Sequence, residues 1–212
     1  MFSLRGSLEG LERGIANTPE KRARYVNVAM DKANVVERLI ADLFAFSRLE
    51  YLEQSPQREP IDLAALLRHV LLGVEPIASA KGVTSELRAP AGPVVLPGYE
   101  HLLTRAIENL VDNALRYSSQ GGNVTVTVRR HSGSCQFTVT DTGPGIPPDW
   151  LEELFTPMYR GEASRNCGTG GAGLGLTITR PILTAHGGSL SAANSPGGGA
   201  IFTGTLPLAG QP

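Results

Sequence analysis

Behind Pro19 the chain runs to about Glu50 without a glycine or a second proline. Tyr25, Val28, Val35, Leu39, Phe46 and Leu49 recur there at multiples of three and four, with charges such as Lys32, Glu37, Arg38 and Arg48 between them. That is the pattern of one long amphipathic helix with a single apolar seam. Asn17-Thr18-Pro19 marks its start: Thr18 reads as the N-cap, Pro19 as the first helical residue, and Glu20 comes next. Met1 to Ile15 reads as the tail of an earlier helix. A helix of this length with one seam cannot bury itself alone. It needs partner helices, as in an antiparallel hairpin that pairs with a second chain into a four-helix bundle, or else the surface of its own domain. The bundle is the expectation.

The remaining residues obey another grammar. Gln54–Pro60 is polar, carries two prolines and reads as a linker. It divides the chain into 1–53 and 61–212. Asp62 caps a short helix with Leu63, Leu66, Leu67 and Val70 inside. Val83–Leu87 and Val94–Leu96 are strand candidates, and a helix is expected from about His101 to Tyr117. Val124, Val126 and Val128 alternate with threonines. After Ser132-Gly133, Cys135, Phe137 and Val139 do the same, which makes a β-hairpin with one apolar face. A helix near Leu174–Ala185 comes after a glycine-rich span. Leu190–Ala193 and Ala200–Leu206 close as a second hairpin. The class is α+β, with a sheet carrying helices on one face.

Composition narrows the function. A formal net charge of −1 gives no global basic field for nucleic acid or an anionic membrane. No apolar run approaches the roughly 20 residues of a membrane span, and no signal peptide opens the chain. Cys135 and Cys167 lie too far apart for a metal spacing or a disulfide framework, so a reducing cytoplasm is expected. Many of the 25 glycines lie beyond Gly143, where close backbone approaches or loops are expected.

Three stretches carry chemistry. In Glu108–Tyr117 and the turn before it, Leu103, Ile107, Leu110 and Ala114 share one helix face. Asn109, Asn113, Arg116 and Tyr117 fall on a neighbouring arc, with His101, Arg105, Glu108 and Asp112 toward solvent. Two mid-helix asparagines are poor helix formers. Their oxygens suit Mg²⁺ beside phosphate; alternatively they are merely solvated. Asp141 continues the inward alternation of the strand ending at Val139. A carboxylate there needs hydrogen bonds. It either accepts from a ligand's amine, such as that of adenine, or initiates the turn Thr142-Gly143-Pro144-Gly145. Gly168–Leu176 is a phosphate-loop candidate leading into a helix. Gly168–Gly173 fits G-x-G-x-x-G literally, but a polar loop rather than a buried strand precedes it, so a dinucleotide fold is rejected.

Taken in order, these stretches resemble the ATP-binding domain of sensor histidine kinases, in the superfamily shared with gyrase, heat-shock-90 and MutL ATPases. Glu108–Tyr117 resembles the N box and Asp141–Gly145 the first glycine box. Leu154–Arg160 resembles the F box, Gly171–Leu176 the second glycine box, and His186-Gly187-Gly188 the element after its helix. The hairpin ending Phe46-Ser47-Arg48-Leu49-Glu50 resembles the dimerisation and phosphotransfer domain. The resemblance implies that hairpin over 1–53 and, over 61–212, a two-layer α/β sandwich with a mixed sheet.

It also implies roles. Asn113, helped by Asn109, would hold Mg²⁺ against the triphosphate, with Arg116 and Tyr117 facing the nucleotide. Asp141 would accept from the adenine amine, with Gly143, Gly145 and Ile146 shaping the base pocket. Residues 160–171 would be a lid. Gly171, Gly173 and Gly175 would approach the phosphates, Leu174 would anchor the lid end, Ala172 between them belongs to the same nucleotide-binding stretch, and Arg160 would reach the phosphates during transfer. The implied partners are ATP or ADP, a second copy of the chain and a response regulator receiver domain. The implied location is cytoplasmic, with any membrane anchor in segments upstream.

Departures from the family pattern set further expectations. Its phosphorylated histidine lies in a His-acid-x-Arg-x-Pro box. His69, His101, His131 and His186 have no such setting, and Met1–Gly6 resembles the segment just past that box. Nucleotide binding without autophosphorylation is therefore expected. Met158 replaces an aromatic of the F box, Tyr99 stands where an Asp often caps the N-box helix, and Arg180-Pro181 should shorten or kink the last helix. Two alternatives are a nucleotide-gated partner-binding module and a gyrase-type ATPase. The ATPase relatives place a water-activating Glu where this chain has Asn109.

Overall fold

The computed structural model describes residues 4–50, 57–151, 153–155 and 175–208. Two helices come first, α1 (Leu4–Glu12) and α2 (Pro19–Glu50). They form a hairpin. Thr18 caps α2 as its sequence indicates, its hydroxyl accepting from the Lys21 N–H at 3.3 Å. Residues of the seam, Tyr25, Val28, Val35, Leu39 and Leu49, are half-buried. A second edge of α2 bears Val26, Met30, Val36, Ile40, Leu43 and Phe44, all exposed within one chain.

The second unit opens with β1 (Glu59–Asp62), which pairs antiparallel with β3 (Val95–Gly98). So β1 begins inside the stretch read as a linker. Between them lie α3 (Leu63–Lys81) and β2 (Thr84–Arg88). Asp62 caps α3 as expected: its Oδ1 accepts from the Ala64 N–H at 3.1 Å and the Val94 N–H at 2.9 Å. The helix is not short. At 19 residues it runs through Pro76, and it is the one described helix long and apolar enough to cross a membrane. Read as a short helix, its sequence showed no such run. Leu63, Leu66, Leu67, Val70 and Val74 instead bury one face of α3 in the core.

Then come α4 (Glu100–Tyr117), β4 (Asn123–His131), β5 (Ser134–Asp141), α5 (Gly175–Ala185), β6 (Ser189–Asn194) and β7 (Ala200–Pro207). The main sheet has the order β2-β4-β5-β7-β6. β2 and β4 are parallel and the other pairs antiparallel, so the sheet is mixed. Val124, Val126, Val128, Cys135, Phe137, Val139, Phe202 and Leu206 are buried, while the intervening threonines are only partly covered. This period of two places the helices on one face of the sheet. Burial also pushes the Cys135 thiol up to about 11.

Pro181 does not shorten α5, which continues to Ala185. Arg180 and Pro181 lie on its exposed side, and the Arg180 guanidinium stacks 4.5 Å over the Phe155 ring. A proline inside a helix removes one backbone bond and crowds the preceding turn, so packing must hold the helix on both sides of it. Here Ile178, Thr179, Ile182 and Leu183 provide that packing.

Candidate functional site

The site is built on α4, and α4 is fixed at both ends. Tyr99 is its N-cap residue and makes no side-chain cap bond. The Tyr99 backbone N–H instead donates to His186 Nε2 at 2.9 Å, and the two rings meet edge-on at 5.5 Å. At the other end, Lys81 Nζ donates to the carbonyls of Leu115 and Arg116 at 2.5 and 2.7 Å. A cation on the last carbonyls suits a helix C-terminus. Leu103, Ile107, Leu110 and Ala114 are buried as expected, so the rotation of α4 is set by its core stripe.

That rotation brings Asn109 toward α5. Its side chain is buried, and its Nδ2 donates to the Gly175 carbonyl at 3.1 Å. Asn113 is half-buried, and no hydrogen bond joins its side chain to another described residue. Arg116 is half-buried and Tyr117 exposed. One residue of the supposed wet back is corrected. Arg105 is not solvated: its side chain is 13% exposed and pairs with Asp42 of α2. The packed hairpin covers this edge, which periodicity within α4 could not reveal.

Asp141 ends β5 almost completely buried, at 2% exposure. Its Oδ1 accepts from the Gly143 N–H at 2.8 Å and the Ala200 N–H at 3.2 Å. The two readings of this residue are therefore compatible. One oxygen initiates the turn, and among the described residues Oδ2 accepts no hydrogen bond. Thr142 Oγ1 anchors the next step by accepting from the Asn123 N–H at 2.8 Å. Ile146 is buried at the end of the glycine-box loop and is gripped by Asn194.

The sequence reading missed Asn194, Lys81, Asp42 and the Tyr99–His186 link. Each acts on a residue at least 34 positions away, where short-range spacing carries no signal. Arg160, Gly171, Ala172, Gly173 and Leu174, with the lid and Met158, lie outside the described residues. Of the stretch read as the second glycine box, Gly171–Leu176, Gly175 and Leu176 are described, and Gly175 lies beside Asn109 at the start of α5. A separate cleft of about 600 Å³, lined by Ala41, Gln57, Glu59, Tyr99, His101 and Arg105 among others, lies between α2 and α4. It is on the other edge of α4 from the two asparagines.

The amide-bearing edge of α4, the buried Asp141 carboxylate and the start of α5 lie on one α/β sandwich. The profile of the histidine kinase-, DNA gyrase B-, and HSP90-like ATPase family matches residues 98–210, and the chain belongs to that family. Within it, the sensor-like histidine kinase SenX3 of Mycobacterium tuberculosis is 32% identical over 192 residues, covering 91% of this chain and 47% of SenX3. The solved Acinetobacter baumannii histidine kinase AdeS superposes with a TM-score of 0.74 at 25% identity, covering 98% of this chain and 94% of that one. Full-length ShkA, solved in complex with AMPPNP, gives 0.71 at 27% identity over 92% of this chain and 40% of ShkA. The chain spans about half the length of the curated relatives it matches. Its fold is that of the ATP-binding core of sensor histidine kinases.

Proposed function

We propose that the chain binds ATP with Mg²⁺ between α4, the Asp141–Ile146 loop and the start of α5. We further propose that it serves as the catalytic core of a sensor histidine kinase. The γ-phosphoryl group would pass to a histidine nitrogen on a bundle helix as its bond to the ADP oxygen breaks, and later to an Asp of a response regulator receiver domain. The observation that carries this reading is Asp141. Its two backbone donors hold Oδ1, leaving Oδ2 for the one amino group of adenine. The complex of ShkA with AMPPNP supports the same ligand class.

The residues act by positioning and by charge. Asp141 would fix the base and Asn109 the start of α5. Arg116 and Tyr117 would flank the phosphates, Gly171, Gly173 and Gly175 with the intervening Ala172 would offer backbone N–H groups to them, and Leu174 would anchor the lid end. Arg160 would add positive charge during transfer. The side-chain oxygen of Asn113 fits a hard cation, and Mg²⁺ held there would neutralise phosphate charge. Hydrolysis of the gyrase type is disfavoured because Asn109 is an amide and cannot act as a base. Neighbouring Glu108 is turned to Arg105, at 3.4 Å.

The hairpin is taken as 1–53, and the second unit as beginning at Glu59, where β1 starts, two residues before the 61–212 division read from the sequence. A second copy would cover the exposed edge of α2, where each fully buried side chain of the Val or Leu kind contributes on the order of 1.5–3 kcal/mol. Calorimetry with ATP and GTP tests the nucleotide reading. ATP should bind at least about tenfold more tightly than GTP, and Asp141→Asn should narrow that gap. Equal affinity for the two in the wild type would sink the assignment.

A further inference from the structure

Asn194 closes β6 and meets the glycine-box loop at Ile146. Its Oδ1 accepts from the Ile146 N–H at 2.6 Å, and its Nδ2 donates to the Ile146 carbonyl at 2.8 Å. One side chain thus meets both backbone groups of one residue, as a neighbouring strand would. Without it, the polar groups of a buried residue would lose their partners. The same Oδ1 lies 2.8 Å from where a Cβ on residue 145 would sit, and Gly145 has φ +79°. Both the close amide and the left-handed backbone at this position call for glycine.

The turn after β6 reaches Asp141. Ser195 N–H donates to the Gly199 carbonyl at 2.9 Å, and Gly198 N–H to the Ser195 carbonyl at 3.0 Å. Gly199, at φ +84°, packs its α-carbon on the Asp141 carbonyl so closely that a Cβ would overlap it. The next N–H, that of Ala200, is one of the two donors on Asp141 Oδ1. One turn, 194–200, therefore grips the glycine-box loop at Ile146 and the carboxylate at Asp141.

We infer that Asn194 is a positioning residue for base recognition: by fixing the Gly145–Ile146 peptide beside Asp141, it sets the shape and selectivity of the adenine pocket. This rests on the nucleotide reading above. Asparagine suits the task because it both donates and accepts at this reach. Aspartate keeps only the acceptor, and leucine has the same shape with neither.

The test compares binding of ATP and of ITP, which carries an oxygen in place of the adenine amine, in the presence of Mg²⁺. The proteins are the wild-type chain, Asn194→Leu, Asn194→Asp and Asp141→Ala. Loss of two hydrogen bonds should weaken ATP binding roughly tenfold in Asn194→Leu while ITP weakens less than about threefold, with Asn194→Asp between. Asn194 is exposed at the end of an edge strand, and Asn194→Asp carries the comparison if the leucine variant folds poorly. Equal weakening of ATP and ITP, or no weakening of ATP where Asp141→Ala abolishes it, overturns the role of Asn194. If Asp141→Ala leaves ATP binding intact, the nucleotide reading itself fails and this inference falls with it.

Discussion

Arg105 of α4 and Asp42 of α2 form a buried ion pair across the junction of the hairpin and the ATP-binding unit. Arg105 Nε and Nη2 both lie 2.8 Å from Asp42 Oδ1, and the side chains are 13% and 8% exposed. The helix that carries Asn109 and Asn113 is thus tied to the helix that would carry the bundle. Nearby, Ala45 and Leu49 of α2 join the core of the second unit. The pair sits where a change in the hairpin would be felt directly by α4.

The pair should couple measurably. Truncating one partner of a fully enclosed pair costs about 3–5 kcal/mol, but here both side chains keep some exposure, 13% and 8%, so a coupling of about 1–3 kcal/mol is expected. A double-mutant cycle of Asp42→Ala and Arg105→Ala, read by urea unfolding, measures it. Hydrogen exchange should report faster opening of α2 around Ala45 in either single variant. Additive effects and unchanged exchange would remove the pair as a tie between the units.

The two asparagines should separate by readout. Asn113 has no described partner, so Asn113→Ala should leave stability within about 0.5 kcal/mol. It should reduce Mg²⁺-dependent ATP affinity about tenfold, toward the value measured in excess chelator. Asn109 holds the Gly175 carbonyl, so Asn109→Ala should also destabilise the fold by about 1 kcal/mol. Thermal unfolding and calorimetry with and without Mg²⁺ read both effects. An Asn113→Ala variant with full Mg²⁺ dependence would move the cation elsewhere.

Most of the fold was legible because its signals are periodic and local. The Thr18 cap, the Asp62 cap, both hairpins and the core stripe of α4 arise from spacings of two to four residues. Asp141 was legible as the inward continuation of β5. What failed was long-range or depended on a second element. Arg105 sits on the polar arc of its own helix and is covered only because α2 packs there. Pro181 breaks a helix in isolation, yet α5 survives on its buried face. Asn194 stands between a strand and Ser-Pro-Gly-Gly-Gly and reads as a turn former. Its bonds to Ile146 span 48 positions, beyond any local pattern.

Acid should loosen the head of α4. Burial holds the His186 imidazole below its ordinary pKa, opposed by its bond to the Ile182 carbonyl and reinforced by the charges of Arg58 and His101. Nδ1 lies 2.7 Å from that carbonyl and so carries the proton, while Nε2 accepts from the Tyr99 N–H. A protonated ring would turn a donor toward a donor. Because the folded pKa is depressed, the unfolded chain takes up the proton first. The stability contributed by neutral His186 is therefore complete above the unfolded value of about 6.5 and lost as pH falls through the lower folded value. Thermal unfolding from pH 8 downward should show Tm falling below about pH 6.5, less steeply in His186→Gln. Identical slopes for the two proteins would exclude His186 as the cause.

The chain should bind ATP yet gain no phosphohistidine, and it should hydrolyse ATP only slowly. Transfer needs an acceptor nitrogen about 3–3.5 Å from the γ-phosphorus. His69 is exposed on the outer face of α3, and His131 ends β4 at a hairpin turn. His186 is buried with both ring nitrogens engaged. His101 is exposed and lines the cleft between α2 and α4, which makes it the nearest competitor. It nonetheless lies eight residues before Asn109 on the same rigid helix, about 12 Å along the axis at roughly 1.5 Å per residue. A helix cannot fold back on itself to close that gap. Water fares no better as an acceptor, since Asn109 offers an amide where a base would be required. Incubation with γ-labelled ATP, then acid and base treatment, tests both points. The expected result is no acid-labile, base-stable label and phosphate release near the buffer rate. A base-stable label that disappears in His101→Ala would make His101 an acceptor and require α4 to meet the nucleotide of another copy.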